Sequence, residues 1–295
     1  MQKHILRSIM LIIVLSVVLM VIIWTGYKMF VSIYRMHMHT LVPVEKKEPF
    51  KDTVVITPSN THAFIINMER NPDRLHRFKM QFNRSDLQKY DLTRIDAIDG
   101  KTIDITQHVS SEAYRDILTS EKNGYRMRHY ELTRGAVGCY LSHIKAYEEA
   151  LKCGKPYALI FEDDVRFLTN DIQKELNEQL LQVPQDWDML LLGYVCFVCG
   201  KFDAHYEANR FILLHAYVVK AQSLPKIIGL LKGNPIKQQL DAEFSDLAEH
   251  GDLKIYCLRK KLAMQFNMGT NIQMPIMETQ EVNPYESFDE KIVLL

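Results

Sequence analysis

Three consecutive acidic residues, Glu162-Asp163-Asp164, directly follow the apolar run Tyr157-Ala-Leu-Ile-Phe161. The run has the length and composition of a buried strand. Because side chains alternate along an extended chain, Glu162 and Asp164 are expected to point to the same side. Carboxylates held together repel each other unless a cation joins them, and hard oxygen ligands suit Mn²⁺ or Mg²⁺. The triplet therefore predicts a divalent-metal site at the carboxyl end of a strand, where α/β sheets bind ligands. A solvated acidic turn is the alternative.

The turn after the apolar run Ala63–Asn67 carries two arginines, Arg70 and Arg74. Arginine forks suit phosphate oxygens, and Asn71-Pro72 predicts a helix N-terminus here, whose field favours an anion. We interpret the turn as a phosphate-binding candidate, with two surface arginines as the alternative. It contains no glycine, so it is not a dinucleotide-binding loop.

Other polar motifs are interpreted as structural when taken singly. The pair Asp241 and Glu243 is typical of a helix start, where acidic residues are favourable. Cys196-Phe-Val-Cys199 lacks the second pair that a zinc site needs. It is interpreted as two small buried apolar residues, with a disulfide as the alternative. His143 falls among core positions of a helical pattern, which favours a structural histidine.

The elements around these residues alternate between short apolar runs and amphipathic helical patterns. This alternation predicts an α/β fold with a mainly parallel sheet. Further strands are expected at Met189–Leu192 and Phe211–Leu214, the second continuing into Ala216–Val219. A helix that includes Tyr140 and Leu151 is expected to stop at Gly154.

Composition excludes several classes of protein. The 295 residues carry 36 Lys plus Arg and 36 Asp plus Glu, so the net charge is zero, which excludes the basic balance typical of nucleic-acid binders. With 47% hydrophobic and 24% charged residues the chain has the composition of a packed globular protein. Five cysteines are too few for a disulfide-knit miniprotein.

The N-terminal region predicts a membrane anchor. Residues 8–27 contain no charge, and as a helix they would span about 30 Å, the thickness of a bilayer's hydrocarbon core. No small-residue cleavage site follows, so an uncleaved signal-anchor is expected. We assign residues 28–59 to a stem, 60–275 to the main domain and 276–295 to a tail. Flanking charges do not decide the orientation, and Asn83-Arg84-Ser85 is a glycosylation sequon that matters only if the domain faces a lumen.

The order of the motifs resembles glycosyltransferase family 25, which includes lipooligosaccharide sugar transferases and procollagen galactosyltransferases. The resemblance extends roughly from Ala63 to Gln265. The matching segments are Phe64–Asn67, Asn71–Arg74, Ala97–Gly100, Leu132–His143, Ile160–Val165, Trp187–Leu190 and Ala216–Val219, with Asp241 further on.

The resemblance implies a GT-A-like, Rossmann-type domain and an inverting transfer from a nucleotide sugar, with UDP-galactose as the commonest precedent, to a glycan or glycoprotein. It also implies a divalent ion, Mn²⁺ or Mg²⁺, bound by Asp164 with Glu162. Asp241 becomes the candidate base or second ligand, and Glu243 accompanies it as a catalytic candidate.

For the donor, the resemblance implies contacts from Asp163 and Glu162, and the arginine-bearing turn adds Asn67, Arg70 and Arg74 as donor-binding candidates. Together with the anchor and the stem, the resemblance implies a single-pass type II membrane protein of the endoplasmic reticulum or Golgi, with a lumenal domain that is glycosylated at Asn83. Family members often have glutamate where Ala136 stands, so the alternative is a membrane-tethered, non-catalytic binding or adhesion protein.

Overall fold

A computed structural model of the chain describes residues 53–127, 131–201, 205–266 and 274. The predicted anchor at 8–27, most of the stem at 28–59 and the tail at 276–295 lie outside these residues. Within the described part of the chain, no helix is both long enough and apolar enough to cross a membrane.

In the described part of the chain, eight strands form one large sheet and one small ribbon. The strands are β1 (Thr61–Asn67), β2 (Leu92–Asp96), β3 (Tyr157–Glu162), β4 (Val165–Phe167), β5 (Met189–Lys201), β6 (His205–Lys220), β7 (Ile255–Leu258) and β8 (Ala263–Gln265). The large sheet has the order β2-β1-β3-β6-β5-β7, and β4 pairs with β8 in the ribbon.

Among the described residues, six α-helices cover the sheet. They are α1 (Pro72–Arg84), α2 (Ser111–Asn123), α3 (Arg134–Cys153), α4 (Ile172–Leu180), α5 (Leu224–Lys232) and α6 (Leu240–Glu249). Gly154 ends α3 in the left-handed conformation at φ 66°, as the sequence predicts. Short 3₁₀ turns lie at Asp86–Lys89, Ile105–Gln107 and Ala221–Ser223.

The predicted α/β architecture is confirmed, but the sheet is mixed. Strands β1, β2 and β3 run parallel, as do β5 and β7, whereas β6 is antiparallel to β3, β5 and β7. The reversal has a local cause, because the short connection between β5 and β6 allows only antiparallel pairing, whereas a parallel pair needs a long crossover.

A core lies on each face of the sheet because both faces are covered by helices. On one face, Phe64 and Ile66 of β1 join a cluster with residues of α2, α3, α5 and α6. On the other face, Ala63 and Ile65 join a cluster with residues of α1 and α4. This burial on both faces explains why β1 and β3 are continuous apolar runs rather than alternating ones.

The folded domain begins before position 60, within the segment assigned to the stem. Ile56 is fully buried, and its amide donates to Oδ1 of Asn177 on α4 at 2.7 Å. The Nδ2 of Asn177 returns a hydrogen bond to the Ile56 carbonyl at 2.8 Å. The apolar side chain and the paired backbone together attach this segment to the domain.

Two glycines allow the loop after β2 to pack directly on α3. A Cβ on Gly100 would overlap the carbonyl of Arg134, and one on Gly138 would overlap the carbonyl of Ile98. Ser142 also holds the loop, because its Oγ accepts the Ile98 amide at 2.8 Å. Backbone therefore lies on backbone at this contact, which fixes the start of α3 against the sheet.

Candidate active site

The acidic triplet lies at the carboxyl end of β3, where the sequence predicts it. Parallel pairing of β1 with β3 places Ile66 beside Glu162, so Asn67 and the turn into α1 reach the same edge of the sheet. Asp163 and Asp164 form the tight turn between β3 and β4. Neighbouring strands thus bring the triplet and the arginine-bearing turn together.

Asp163 is held by two residues of that turn. The Nδ2 of Asn67 donates to Asp163 Oδ2 at 2.7 Å, and Nη1 of Arg74 donates to Oδ1 at 3.0 Å. Burial raises the pKa of Asp163 despite these two donors. Arg94 fixes Asn67 in turn, because its Nε donates to Asn67 Oδ1 at 3.1 Å.

Asp164 is the least compensated member of the triplet. Its Oδ2 accepts from Nε2 of Gln265 on β8 at 3.0 Å and lies 3.9 Å from Nη1 of Arg74. Its Oδ1 is buried and has no hydrogen-bond partner. Burial, with the neighbouring charge of Glu162 next in size, raises the pKa of Asp164 to about 7.

Glu162 is held by a buried chain of polar groups. Its Oε1 lies 3.0 Å from Nε2 of His143, and Nδ1 of His143 lies 2.7 Å from the hydroxyl of Tyr217. The Tyr217 hydroxyl lies 2.8 Å from that of Tyr147. Burial, the largest single influence, would raise the pKa of Glu162, but the hydrogen bonds with His143 and Cys139 and the electrostatic influence of His143 and His215 together outweigh it and lower the pKa.

A bulge in β6 positions Asp241. Gly193 pairs with Ala216 and Val195 with Ile212, so between these pairs one residue of β5 faces three of β6. Within the bulge Leu213 has φ 74°, a left-handed conformation that costs a non-glycine residue about 1–3 kcal/mol. The Leu213 amide donates to Asp241 Oδ2 at 3.2 Å. Burial raises the pKa of Asp241, and the charge of Glu162 adds to the rise.

His215 follows in the same bulge and is almost fully buried. Neither of its ring nitrogens satisfies hydrogen-bond geometry, although the carbonyl of Ala263 interacts with the ring. Burial lowers its pKa to about 4, so the ring is neutral at physiological pH. Gly193 makes room for it, because a Cβ there would collide with the imidazole.

The residues at this edge fit a divalent cation. Asp164 Oδ1 is a buried carboxylate oxygen without a partner. The charge of Glu162 contributes to the raised pKa of each of the other three carboxylates, Asp163, Asp164 and Asp241. Uncompensated carboxylates of this kind are stabilised by a hard cation. Cys139 and His143 also lie within 4.8 Å of a Glu162 oxygen, but burial raises the Cys139 pKa well above its ordinary value. A neutral thiol is a poor metal ligand, so the carboxylates are the stronger candidates.

Glu162, Asp163, Asp164 and Asp241 are called the acidic group below. Two predicted site residues lie apart from it. Arg70 pairs with Asp99 in the loop after β2 instead of reaching the triplet. Glu243 lies two positions after Asp241 on α6, and two residues turn a helix by about 200°. Glu243 accordingly accepts from Gln238 at 3.1 Å and lines a separate cavity of about 170 Å³ with Tyr140 and Lys237. Glu243 therefore lies apart from Asp241, and its catalytic role stays a prediction.

Three other predictions can be compared with the structure. Asn83 is exposed near the end of α1. Ala136 is buried in the first turn of α3, where its amide donates to Thr133 Oγ1 at 3.0 Å. Cys196 is disulfide-bonded, so the interpretation of Cys196 as a small apolar core residue was wrong.

Sequence reasoning did not connect four residues with the acidic group, namely His143, which it interpreted only as a structural histidine, and Tyr217, Gln265 and His215. One signal was present, because Cys139 and His143 are four apart and so share a helix face. The other three lie 50 or more positions beyond the triplet in a chain of 295 residues. No local spacing connects them to it.

Comparison with solved structures gives only weak likenesses. The A197 protein of STIV has a TM-score of 0.34 with 15% identity over 70% of this chain and 85% of that one. A Drosophila β-1,4-galactosyltransferase 7 variant, solved with manganese, UDP-Gal and xylobiose, has a TM-score of 0.35 with 10% identity over 77% and 79% of the two chains. Scores this low do not establish a shared fold.

Comparison with curated sequences is more specific. The chain is 34% identical over 137 residues to "Probable inactive glycosyltransferase 25 family member 3" of Rattus norvegicus, covering 44% of this chain and 22% of that protein. It is 29% identical over 221 residues to "Procollagen galactosyltransferase 2" of Homo sapiens, covering 65% and 33%. The chain thus spans about a fifth to a third of the length of these relatives. The profile of "Glycosyltransferase family 25 (LPS biosynthesis protein)" matches residues 60–239, more than half of the chain. The chain belongs to glycosyltransferase family 25.

Proposed function

We propose that this chain is a metal-dependent glycosyltransferase that moves a sugar from a nucleotide-sugar donor to a hydroxyl of a glycan or glycoprotein. The observation that carries the proposal is the buried, unpartnered Oδ1 of Asp164 among neighbouring carboxylates, in a chain of this family. Three relatives are named procollagen galactosyltransferases, which supports galactose from UDP-galactose as the first donor to test. A GT-A-like arrangement of the domain is part of the same proposal.

Asp164, with Glu162, would hold the divalent ion, Mn²⁺ in the first instance and Mg²⁺ as the alternative. When bound, the ion neutralises charge on the departing diphosphate. Arg74 adds a positive charge at the same edge, since its guanidinium contacts Asp163 and lies near Asp164. The hydrogen bond from His143 keeps Glu162 ionised and fixed. Ionised carboxylates in fixed positions are what cation binding requires.

Asp241 is our candidate for the base that takes the proton from the acceptor hydroxyl. Its two oxygens accept from the amides of Leu213 and Ala242, which hold the carboxylate in place. Burial raises its pKa toward the range of an efficient base at neutral pH. A base that activates the incoming hydroxyl supports a single displacement, and a single displacement inverts the anomeric carbon.

A donor screen tests the proposal. The full chain is incubated with sugar nucleotides and, separately, with plain nucleoside triphosphates, with Mn²⁺, with Mg²⁺ and with a chelator. We expect release of nucleoside diphosphate from one sugar nucleotide only when a divalent ion is present. Release that persists in the chelator would contradict the metal dependence, and turnover of triphosphates alone would indicate a different transferase class.

The second candidate is a non-catalytic binding protein. It is favoured by relatives that are named inactive and by Ala136, at a position where the family resemblance of the sequence implies glutamate in many members. Ala136 is buried at the start of α3, and its methyl side chain supplies no carboxylate at this position. Saturable binding of a glycan, without hydrolysis or transfer from any sugar nucleotide at saturating Mn²⁺, would favour this function over catalysis.

We further propose the topology of a type II membrane protein, anchored through residues 8–27 with the domain in the lumen of the endoplasmic reticulum or Golgi. The proposal is supported by the uncharged N-terminal segment and by the exposure of the sequon residue Asn83. An exposed asparagine is a condition for N-glycosylation.

A further inference from the structure

Three side chains at the carboxyl end of β3 bring together ligand atoms of three chemical kinds. One such atom each of Cys139, His143 and Glu162 lie within 4.8 Å of one another. Oε1 of Glu162 is 3.8 Å from Sγ of Cys139 and 3.0 Å from Nε2 of His143. Sulfur, imidazole nitrogen and carboxylate oxygen are the three ligand types that zinc takes in proteins. We call these three residues the mixed ligand cluster.

Regular secondary structure positions the mixed ligand cluster. Cys139 and His143 are four residues apart on α3 and therefore share one face of the helix, and Glu162 is the last residue of β3. The His143 side chain is fully buried, whereas that of Glu162 is 17% exposed and Cys139 is only partly buried. An ion can therefore reach the cluster from the side of Glu162, and the helix and the strand hold its ligand atoms in place.

The spacing of the ligand atoms is close to that of a zinc site. Zinc binds nitrogen and oxygen at about 2.1 Å and sulfur at about 2.3 Å, and tetrahedral angles then place neighbouring ligand atoms about 3.4–3.6 Å apart. The distances of 3.8 Å and 3.0 Å in the cluster differ from these values by at most about 0.4 Å. Small side-chain rotations are enough to admit the ion, and a water molecule would complete four-coordination.

The second ring nitrogen of His143 has the partner that a metal-bound histidine needs. Metal-bound histidines almost always donate their other N–H to an oxygen, which fixes the tautomer and the ring. Nδ1 of His143 lies 2.7 Å from the hydroxyl of Tyr217, and that oxygen can accept the Nδ1 hydrogen. The two rings also stack, with planes 17° apart. With the hydrogen on Nδ1, the lone pair of Nε2 is available to an ion.

We propose that the mixed ligand cluster binds Zn²⁺, and that zinc bound there inhibits transfer because it takes Glu162 from the proposed Mn²⁺ or Mg²⁺ site. The inhibition rests on the proposed transferase function, whereas the binding of zinc does not. Coordination replaces the S–H bond of Cys139 by a bond between the thiolate and Zn²⁺, and the proton passes to the buffer. Mn²⁺ and Mg²⁺ prefer oxygen ligands, so the two sites select different ions.

The alternative is that Cys139 and His143 only donate hydrogen bonds to Glu162. A thiol is a weak donor, and a contact of 3.8 Å adds little to the position of Glu162 that the bond from His143 does not already provide. A serine hydroxyl would serve equally well as a donor but is a poor ligand for zinc. Cys139→Ser therefore separates the two roles.

A binding test uses Cd²⁺, because a bond between Cd²⁺ and a thiolate absorbs in the ultraviolet. The full chain in mild detergent is freed of metal and titrated with Cd²⁺. The wild type is expected to give an absorption that saturates at one equivalent and is lost in Cys139→Ser. Cys153→Ser is the matched control, because Cys153 is an exposed free thiol at the far end of α3, and it should keep the signal. No signal in the wild type, or a signal that persists in Cys139→Ser, would overturn the proposal.

Calorimetry with Zn²⁺ measures what each ligand contributes to the affinity. Loss of a group that merely orients a ligand costs about ten- to hundredfold in metal affinity, so loss of a ligand in Cys139→Ser or His143→Gln should raise the Zn²⁺ Kd by about a hundredfold or more. Urea unfolding in a chelator checks that each variant folds. Wild-type affinity in Cys139→Ser would contradict zinc binding by the cluster, whether or not His143→Gln folds.

A kinetic test asks whether zinc competes for Glu162. Transfer at saturating Mn²⁺ is measured with Zn²⁺ at about tenfold excess over its apparent Kd, and each protein is compared with its own rate without zinc. Zinc should lower the rate about tenfold in the wild type and in Cys153→Ser, and by less than about twofold in Cys139→Ser. Equal fractional inhibition of Cys139→Ser and the wild type would overturn the competition. A Cys139-dependent Cd²⁺ signal in a protein that transfers no sugar would reject the transferase function and retain the zinc site.

Discussion

Replacing Asp164 by asparagine is expected to make the metal-free protein more stable while abolishing transfer. The asparagine side chain would keep the shape of the original and an oxygen to accept from Gln265, which now donates to Asp164 Oδ2 at 3.0 Å. It would lack the charge that burial and the neighbouring Glu162 oppose. The variant would also lose the carboxylate that we propose as a metal ligand.

The magnitude follows from the pKa of Asp164, which rises from 3.8 to about 7 in the folded protein. Each pKa unit corresponds to about 1.4 kcal/mol, so ionised Asp164 costs at most about 4 kcal/mol above pH 7. Because neighbouring carboxylates relax when one charge is removed, we expect a gain of about 2 kcal/mol in the free energy of unfolding. In a domain of this size that gain raises the Tm by about 5 °C.

The pH dependence has a definite sign. An acid whose folded pKa is raised destabilises the protein only where it ionises, so the wild type loses stability as the pH rises from about 4 through about 7. The advantage of Asp164→Asn should therefore be full at pH 8 and should disappear toward pH 4.

Urea unfolding of the full chain in mild detergent and a chelator, at pH 5 and pH 8, measures this difference. Asp104→Asn is the matched control, because Asp104 is exposed and its pKa is lowered, chiefly by hydrogen bonds from Thr106. The control should gain no stability at pH 8. A variant Asp164→Asn that is less stable than the wild type at pH 8 without metal, or that transfers sugar at the wild-type rate with saturating Mn²⁺, would refute the reasoning.

Four further outcomes are expected. Mn²⁺ at a hundredfold excess over its Kd should add about 2.7 kcal/mol to the free energy of unfolding, and an equal gain in Glu162→Gln would contradict the assignment of Glu162. Tyr217→Phe removes the hydroxyl that contacts His143 and should weaken Mn²⁺ binding about tenfold by calorimetry; unchanged affinity would mean that Tyr217 does not position Glu162. Gly138→Ala forces the backbone of α3 away from the loop after β2 and should lower the free energy of unfolding by about 3 kcal/mol. Gly229 has open space around it, so Gly229→Ala should raise that free energy by up to about 1 kcal/mol. Equal stabilities of the two variants would contradict the close contact at Gly138. In a eukaryotic cell the protein should carry a glycan at Asn83, seen as an endoglycosidase-sensitive gel shift that is lost in Asn83→Gln, and digestion of the domain in sealed microsomes would overturn the lumenal topology.

The elements nearest the acidic triplet were predictable because their signals are local. Continuous apolar runs predicted β1 and β3, and Pro72 and Gly154 marked the start of α1 and the end of α3. The triplet itself was predictable because its position after a buried run already implies an edge of the sheet. The arginine turn followed in the same way, and Arg74 does contact Asp163.

The direction of β6, its bulge and the side chains that it brings to the acidic group depend on long-range strand pairing, which local patterns do not encode. The Phe211–Leu214 run predicted a strand, but neither its antiparallel direction nor the bulge at Leu213 has a local signal. The bulge depends on the register with β5, and the register decides which side chains face the acidic group. The separation of Glu243 from Asp241 was predictable in principle, because helical periodicity alone puts them on different faces.

The contact between Gly100 and α3 gives the protein a mechanical connection between Arg70 and Glu162. Arg70 is tied to Asp99, and the next residue in the chain lies with its backbone against the first turn of α3. No flexible side chain intervenes there to absorb a displacement. Because α3 carries His143, a displacement of the loop that bears Asp99 would move the same helix that fixes Glu162. A ligand phosphate that replaced Asp99 as the partner of Arg70 would remove one of the contacts that hold this loop in place.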